Sequence, residues 1–239
     1  INNMNNVLII GYGYWGPKLS RNFSNSSNFN LHSICDLSNA KIKEAKKNYP
    51  NINVYSNYKK AIKNNSFKLV VISTPTITHF KIAKYALSQN INVLVEKPLC
   101  LSIKEHLYLN RLAKKNNIKI FVDYPFVHSG SVNFVKELIN NKKYGKIKSI
   151  ESYREQAPVR KDTNVFWDLS IHDISIITYL LNEKKISKIK TVNSSNKNTN
   201  FKKISIFIKY KNIDVFIKNN WDSPTKVRLI KFFFEKAIV

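Results

Sequence analysis

A short apolar run, Val7-Leu8-Ile9-Ile10, leads without a break into Gly11-Tyr12-Gly13-Tyr14-Trp15-Gly16-Pro17, and this join constrains the fold more than any other stretch. Glycines at G-x-G-x-x-G spacing suit a strand that turns sharply into a helix. Gly11 permits the turn, Gly13 lets a ligand approach the backbone, and Gly16 lets the helix pack closely on its strand. The helix N-terminus offers unpaired N–H groups and a positive dipole end to an anion. Pro17 fits the first turn, where its missing N–H is no loss. A second apolar run, Leu31 to Cys35, ends at Asp36, twenty positions after Gly16. An acid in that register accepts hydrogen bonds from ribose hydroxyls and repels a 2′-phosphate. Gly11, Gly13, Tyr14, Trp15, Gly16 and Asp36 are therefore expected to bind a dinucleotide, NAD in preference to NADP. The competing reading is a merely tight turn.

The pattern continues as a parallel α/β domain. Apolar runs at Val7–Ile10, Leu31–Cys35, Asn53–Tyr55, Leu69–Ser73, Asn92–Val95 and Lys119–Val122 alternate with helical periodicity over 16–24, 38–48, 57–64, 78–89 and 102–116. Six strands with helical crossovers predict a doubly wound parallel sheet over residues 1–122. From 123 to 239 the pattern changes. Helices are expected at 131–141 and 165–182, the latter capped by Asp162, Thr163 or Asn164. Strands are expected at 146–155, 186–193, 202–210 and 213–221, with Lys211-Asn212 closing a hairpin and Asn193 to Asn200 forming a polar loop. That region is expected to be an α+β domain with an open, mostly antiparallel sheet. Residues 226–239 predict a strand and the start of another, so the chain is expected to be incomplete at its C-terminus.

The net charge of +25 raises nucleic acid as a partner. Arginine occurs only five times among 40 basic residues, and the lysines are spread along the whole chain. Nucleic-acid readers concentrate charge on one face and use arginine for bidentate contacts. Diffuse lysines such as Lys41, Lys43, Lys46 and Lys47 instead suit solvated faces, so no specific nucleic-acid partner is expected. No stretch approaches the roughly 20 apolar residues of a membrane span, and no membrane partner is expected. Cys35 and Cys100 lack metal-ligand spacing, so no metal site is expected, and their scarcity suits a reducing cytoplasm.

Three further segments, Val71-Ile72-Ser73-Thr74-Pro75-Thr76-Ile77-Thr78-His79, Val93-Leu94-Val95-Glu96-Lys97-Pro98-Leu99 and Phe166-Trp167-Asp168-Leu169-Ser170-Ile171-His172-Asp173, resemble the glucose–fructose oxidoreductase and inositol dehydrogenase (Gfo/Idh/MocA) family. With Gly11–Pro17 the resemblance runs in order along essentially the whole chain. It implies a Rossmann domain, then a substrate domain that often assembles through its sheet into homodimers or homotetramers. Val165, Phe166 and Trp167 stand where the family often has glycines, which points to a subgroup.

The resemblance implies that Lys97, Asp168 and His172 are catalytic and also hold substrate. Lys97, just past a strand, hydrogen-bonds the reacting hydroxyl and stabilises alkoxide charge. His172 takes the proton, as a neutral imidazole does near pH 7. Asp168, four positions earlier on the same helix face, orients the imidazole or holds a sugar hydroxyl. An ordinary surface or core Asp–His pair is the alternative. Ser73, Thr74, Pro75, His79 and Glu96 are expected to line the cofactor pocket. Arg154 and Arg160 suggest recognition of a carboxylate or phosphate, though either could pair with Glu151, Glu155 or Asp162. The expected function is an NAD-dependent sugar dehydrogenase. Its substrate is expected to be a nucleotide-linked amino-sugar uronate oxidised at C3 in surface polysaccharide synthesis. The alternatives are a free-sugar or inositol dehydrogenase and a non-catalytic nucleotide-binding fragment.

Overall fold

The computed structural model describes residues 5–63, 66–160, 163–182, 185–193 and 201–239. The chain divides into two compact units, Ile1–Asp123 and Tyr124–Val239. Asp162 and residues 194–200 of the expected polar loop lie outside the described residues.

The first unit alternates β1 (Asn5–Ile10), α1 (Gly16–Ser24), β2 (Phe29–Cys35), α2 (Asn39–Asn48), β3 (Asn53–Tyr55), α3 (Tyr58–Lys63), β4 (Leu69–Ile72), α4 (His79–Ser88), β5 (Asn92–Glu96), α5 (Ile103–Lys115) and β6 (Ile120–Asp123). The strands form one parallel sheet in the order β3-β2-β1-β4-β5-β6, the doubly wound order of a dinucleotide-binding domain. The continuous apolar character of β1 follows from burial on both faces. Leu8 and Ile10 pack with Ala83, Ala86, Leu87 and Leu109 under α4 and α5. Val7 and Ile9 pack on the opposite face with Tyr12, Ile34 and Ala45, beside Leu19 and Phe23 of α1. Ser38 and Ser102 accept N–H bonds that start α2 and α5.

The second unit contains α6 (Gly130–Asn140), β7 (Ile147–Glu155), α7 (Ile171–Leu181), β8 (Lys188–Asn193), β9 (Lys203–Tyr210), β10 (Ile213–Asn220) and β11 (Val227–Phe234). Its sheet has the order β11-β7-β10-β9-β8, with β7 and β10 parallel and the other pairs antiparallel. Period-two burial in β9 sends Ile204, Ile206, Ile208 and Tyr210 into the core with α6 and α7, leaving Phe207 outside. Lys211 takes φ +49° in the hairpin turn to β10. After β11 the chain folds back, and Val239 exchanges backbone bonds with Phe232.

One expectation needs correction. Residues 165–182 do not form a single α-helix. Phe166–Ser170 is a turn of π-helix, and the Ile171 N–H reaches back to the Phe166 carbonyl, five residues away. Asn164 starts the turn, its Oδ1 accepting from the Phe166 and Trp167 N–H groups. Asp168 therefore lies in the wide turn and His172 in the first α-helical turn, so a continuous 3.6-residue face does not describe the pair.

Candidate functional site

In the first unit the candidate residues gather at the carboxyl edge of the sheet, where ligands bind in open α/β folds. Gly11 has φ +97°, and a Cβ there would lie 2.6 Å from the Ser73 carbonyl oxygen. A Cβ on Gly16 would collide with the Gly11 carbonyl, whereas one on Gly13 would meet nothing within 4 Å. Two glycines are thus required by the protein's own packing, and the third borders open space. The N-terminus of α1 follows Trp15 with no side-chain cap, leaving its first N–H groups available to an anion.

A cleft of about 460 Å³ opens beside this loop, lined by Gly11, Gly13, Asp36, Ser73, Thr74 and Pro75. Leu37, Tyr58, Thr78, Lys81 and Ile82 complete much of its wall and were not singled out from the sequence. Asp36 also braces the loop: its Oδ2 accepts from the Tyr12 N–H at 2.6 Å and its Oδ1 from the Ser38 N–H at 2.8 Å. Ser73 Oγ donates to the Gly11 carbonyl at 2.8 Å. Tyr14 and Trp15 stand outside this lining as exposed, edge-to-face rings with the Lys18 ammonium over both.

His79 departs from its expected place. Only 1% of it is exposed, and its ring bridges two backbone carbonyls, Pro98 at 2.8 Å through Nδ1 and Thr74 at 2.8 Å through Nε2. It ties the Ser73–Pro75 loop to the segment after Lys97 rather than lining the cleft. Glu96 ends β5 opposite Asp123 at the end of β6, and the two carboxyl groups share a hydrogen bond. Burial first, and the Asp123 charge second, push Glu96 up to about 7, against the lowering influence of Lys97. Asp123 escaped notice because its partner lies on a neighbouring strand.

In the second unit Asp168 is nearly buried. It accepts from Trp221 Nε1 at 3.0 Å and faces Arg160 Nη1 at 3.5 Å. His172 meets the Phe126 ring edge-to-face at 4.9 Å. Arg154 does not present the expected fork to a ligand. It is 7% exposed, and its Nε and Nη2 both lie 3.0 Å from Asp173 Oδ1. The arginine at 154 thus pairs with Asp173, which was not among the acids weighed for it. Asn219 Nδ2 donates to Asp173 Oδ2 at 2.8 Å, and Ser170 Oγ donates to Asn219 Oδ1. Arg228 sits opposite Arg154 on β11 and donates to the Gln156 carbonyl at 2.9 Å. The available signal was arginine scarcity: three of the five fall in this unit, at 154, 160 and 228. Among the described residues no His, Cys, Asp or Glu cluster could hold a metal, and no helix is long and apolar enough to cross a membrane.

A sheet order and glycine loop of this kind define a nucleotide-binding α/β protein. Residues 5–124 match the family described as "Oxidoreductase family, NAD-binding Rossmann fold" (GFO_IDH_MocA). The chain belongs to this family, as its motifs led us to expect. It is 26% identical to glucose-6-phosphate 3-dehydrogenase of Bacillus subtilis over 46% of this chain and 35% of that protein. Two uncharacterised oxidoreductases, from Synechocystis and Schizosaccharomyces pombe, are matched over 30% of their lengths. The matched part thus covers about a third to a half of the length of the curated relatives. The fold resembles GenD2 from gentamicin A biosynthesis, solved in complex with NAD (TM-score 0.90, 18% identity, 98% of this chain and 71% of that one). It also resembles scyllo-inositol dehydrogenase from Lactobacillus casei (TM-score 0.87, 19% identity, 99% and 74%).

Proposed function

We propose that the protein is an NAD-dependent dehydrogenase of a sugar secondary alcohol, with residues 1–122 binding cofactor and 123–239 holding substrate. The observation that carries this reading is the carboxyl edge of the first sheet. The glycine loop, Asp36, Ser73–Thr74 and Glu96–Lys97 all fall there, in the place a doubly wound fold reserves for its ligand. The dinucleotide fits these residues. Gly13 leaves the backbone open to the pyrophosphate, α1 offers uncapped N–H groups, and Asp36 stands where the adenosine ribose would bind. Bound NAD⁺ supplies the hydride acceptor. Lys97 hydrogen-bonds the reacting hydroxyl and stabilises its developing negative charge. His172 accepts the hydroxyl proton. Asp168, steadied by Trp221, holds a neighbouring substrate hydroxyl.

For the substrate we favour a nucleotide-linked amino-sugar uronate oxidised at C3, as the Gly-Tyr-Gly-Tyr-Trp-Gly-Pro loop and the Asp168–His172 motif suggest. The similarity to a glucose-6-phosphate 3-dehydrogenase is consistent with attack at that carbon, and half-exposed Arg160 beside Asp168 suits an anionic sugar. A free polyol is the second reading, favoured by the fold likeness to inositol dehydrogenases. We further assign assembly into a homodimer or tetramer to the open face of the second sheet. There Phe207 and Phe216 pack at 4.9 Å, and Phe207 and Leu229 are nearly half exposed.

Tryptophan fluorescence titration with NADH and NADPH tests the cofactor, with Asp36→Ala expected to narrow the NADH preference. A screen of UDP-sugars against free polyols, followed by cofactor absorbance, separates the substrates. Lys97→Ala and His172→Ala are each expected to lower kcat by about 10²–10⁴-fold while NADH binding stays intact. Unchanged turnover would overturn the assignment.

A further inference from the structure

The second unit buries an ion pair that the proposed chemistry does not use. Asp173 is 1% exposed, directly follows His172, and cannot face the same way as its neighbour on α7. Its carboxylate is fully engaged: Arg154 from β7 holds one oxygen through Nε and Nη2, and Asn219 from β10 holds the other. Arg154 and Asn219 are register partners on adjacent strands, so they form one row across the buried face of the sheet. Asn219 also accepts from Ser170, the last residue of the π-turn. Trp221, two residues on, accommodates Asp168 from that same turn. Strands β7 and β10, with Trp221 just past β10, are thereby fastened to the segment that carries Asp168 and His172.

The arginine has a second contact. Its guanidinium carbon lies 4.7 Å from the centre of the Phe126 ring, and Phe126 meets the His172 ring edge-to-face at an interplanar angle of 87°. A continuous line of contacts runs Asp173, Arg154, Phe126, His172. A buried ion pair contributes little net stability against apolar residues of similar volume. A fully satisfied polar network does fix geometry. A proton acceptor needs fixed geometry, because its ring must meet the hydroxyl proton within hydrogen-bond reach.

We propose that Arg154 and Asp173 are positioning residues that hold the imidazole of His172 in a single orientation through Phe126. This rests on the reading of His172 as the proton acceptor, and the test separates the two. The double variant Arg154→Met with Asp173→Leu removes both charges together, so neither is left buried and unpaired, and it is expected to fold. Phe126→Leu cuts the line at a residue 39% exposed and leaves the ion pair untouched.

In the wild-type chain the ¹⁵N signals of the His172 ring, assigned by their loss in His172→Gln, are expected to be single and sharp, as one ring orientation requires. In both variants they are expected to broaden or split, as a second orientation requires. For turnover, kcat is expected to fall by about 10- to 100-fold, as misplacing a reacting group does, with KM and NADH affinity within about twofold. His172 signals identical to wild type in either folded variant would overturn the proposal. Should the double variant not fold, Phe126→Leu alone decides it. A wild-type protein that oxidises no sugar would defeat the dehydrogenase reading, while the ring signals would still decide the positioning role.

Discussion

The two units prepare their chemistry by opposite means. The first uses backbone and small side chains: a left-handed glycine, an uncapped helix end, and a loop braced by Asp36 and Ser73. The second uses large buried side chains, with Arg154, Asp173, Asn219 and Trp221 locked beneath a π-turn. A backbone site accepts a ligand shared by many enzymes, since N–H groups and dipole ends recognise phosphate whatever is attached to it. A side-chain network can be re-dressed around a particular substrate without disturbing the sheet below. On the proposed assignment the cofactor site is therefore generic and the substrate side particular.

The sharpest way to break this contrast is to add one methyl group along the glycine loop. Gly11→Ala and Gly16→Ala should each cost about 3 kcal/mol or more. The first must adopt φ +97° against the Ser73 carbonyl, and the second strikes the Gly11 carbonyl. Gly13→Ala meets no neighbour, so its stability should change by less than about 0.5 kcal/mol. NADH affinity should nonetheless fall by about tenfold or more, because the methyl occupies ligand space. Urea denaturation beside a fluorescence titration reads both quantities. Equal stability loss at all three positions would show that Gly13 serves packing and not binding.

The same contrast explains what could be read from the chain. The first sheet was legible because its signals are local: apolar runs, helical periods, and glycines whose spacing encodes a turn. All six of its strands lie where the pattern placed them, with no end shifted by more than two residues. The family was legible from Gly11–Pro17 and Glu96-Lys97-Pro98, which fall within the matched residues 5–124. The π-turn was not, because Phe166-Trp167-Asp168-Leu169-Ser170 carries no composition that distinguishes a five-residue backbond from a four-residue one. Arg154 showed only that a planar cation was wanted. That its partner is Asp173, nineteen residues on, depends on α7 packing over β7. His79 misled for a related reason: a histidine after Ser-Thr-Pro sits beside a ligand loop, yet only the fold reveals that both its nitrogens are committed to carbonyls.

On the second unit's side, Trp221→Phe keeps an aromatic ring at a buried position but removes the Nε1 donor to Asp168 and part of the indole's volume. A loss of about 1–2 kcal/mol in stability is expected, with Asp168 still facing Arg160. KM for the sugar should rise more than kcat falls, because Asp168 is assigned to a substrate hydroxyl and not to the proton. A fall confined to kcat would move Asp168 into the orientation of His172 instead.

The smallest effect belongs to the first unit, at a place where it too uses a side-chain pair. Glu96 is held up to about 7 by burial and by Asp123, above the carboxyl range of an unfolded chain. Between these limits the folded protein keeps a proton that the unfolded chain has released. The stability tied to that proton is full at low pH and is lost as pH rises through about 7. Glu96→Gln carries no such proton, so the difference in melting temperature between wild type and variant should shift in the variant's favour between pH 5 and pH 8. Parallel melting curves across that range would mean that Glu96 is ionised throughout, with a full negative charge beside Lys97. A shift in the expected direction would mean that the pair shares a proton near neutrality. Lys97 would then work next to about one negative charge rather than two, which leaves more of its own positive charge to act on the substrate hydroxyl.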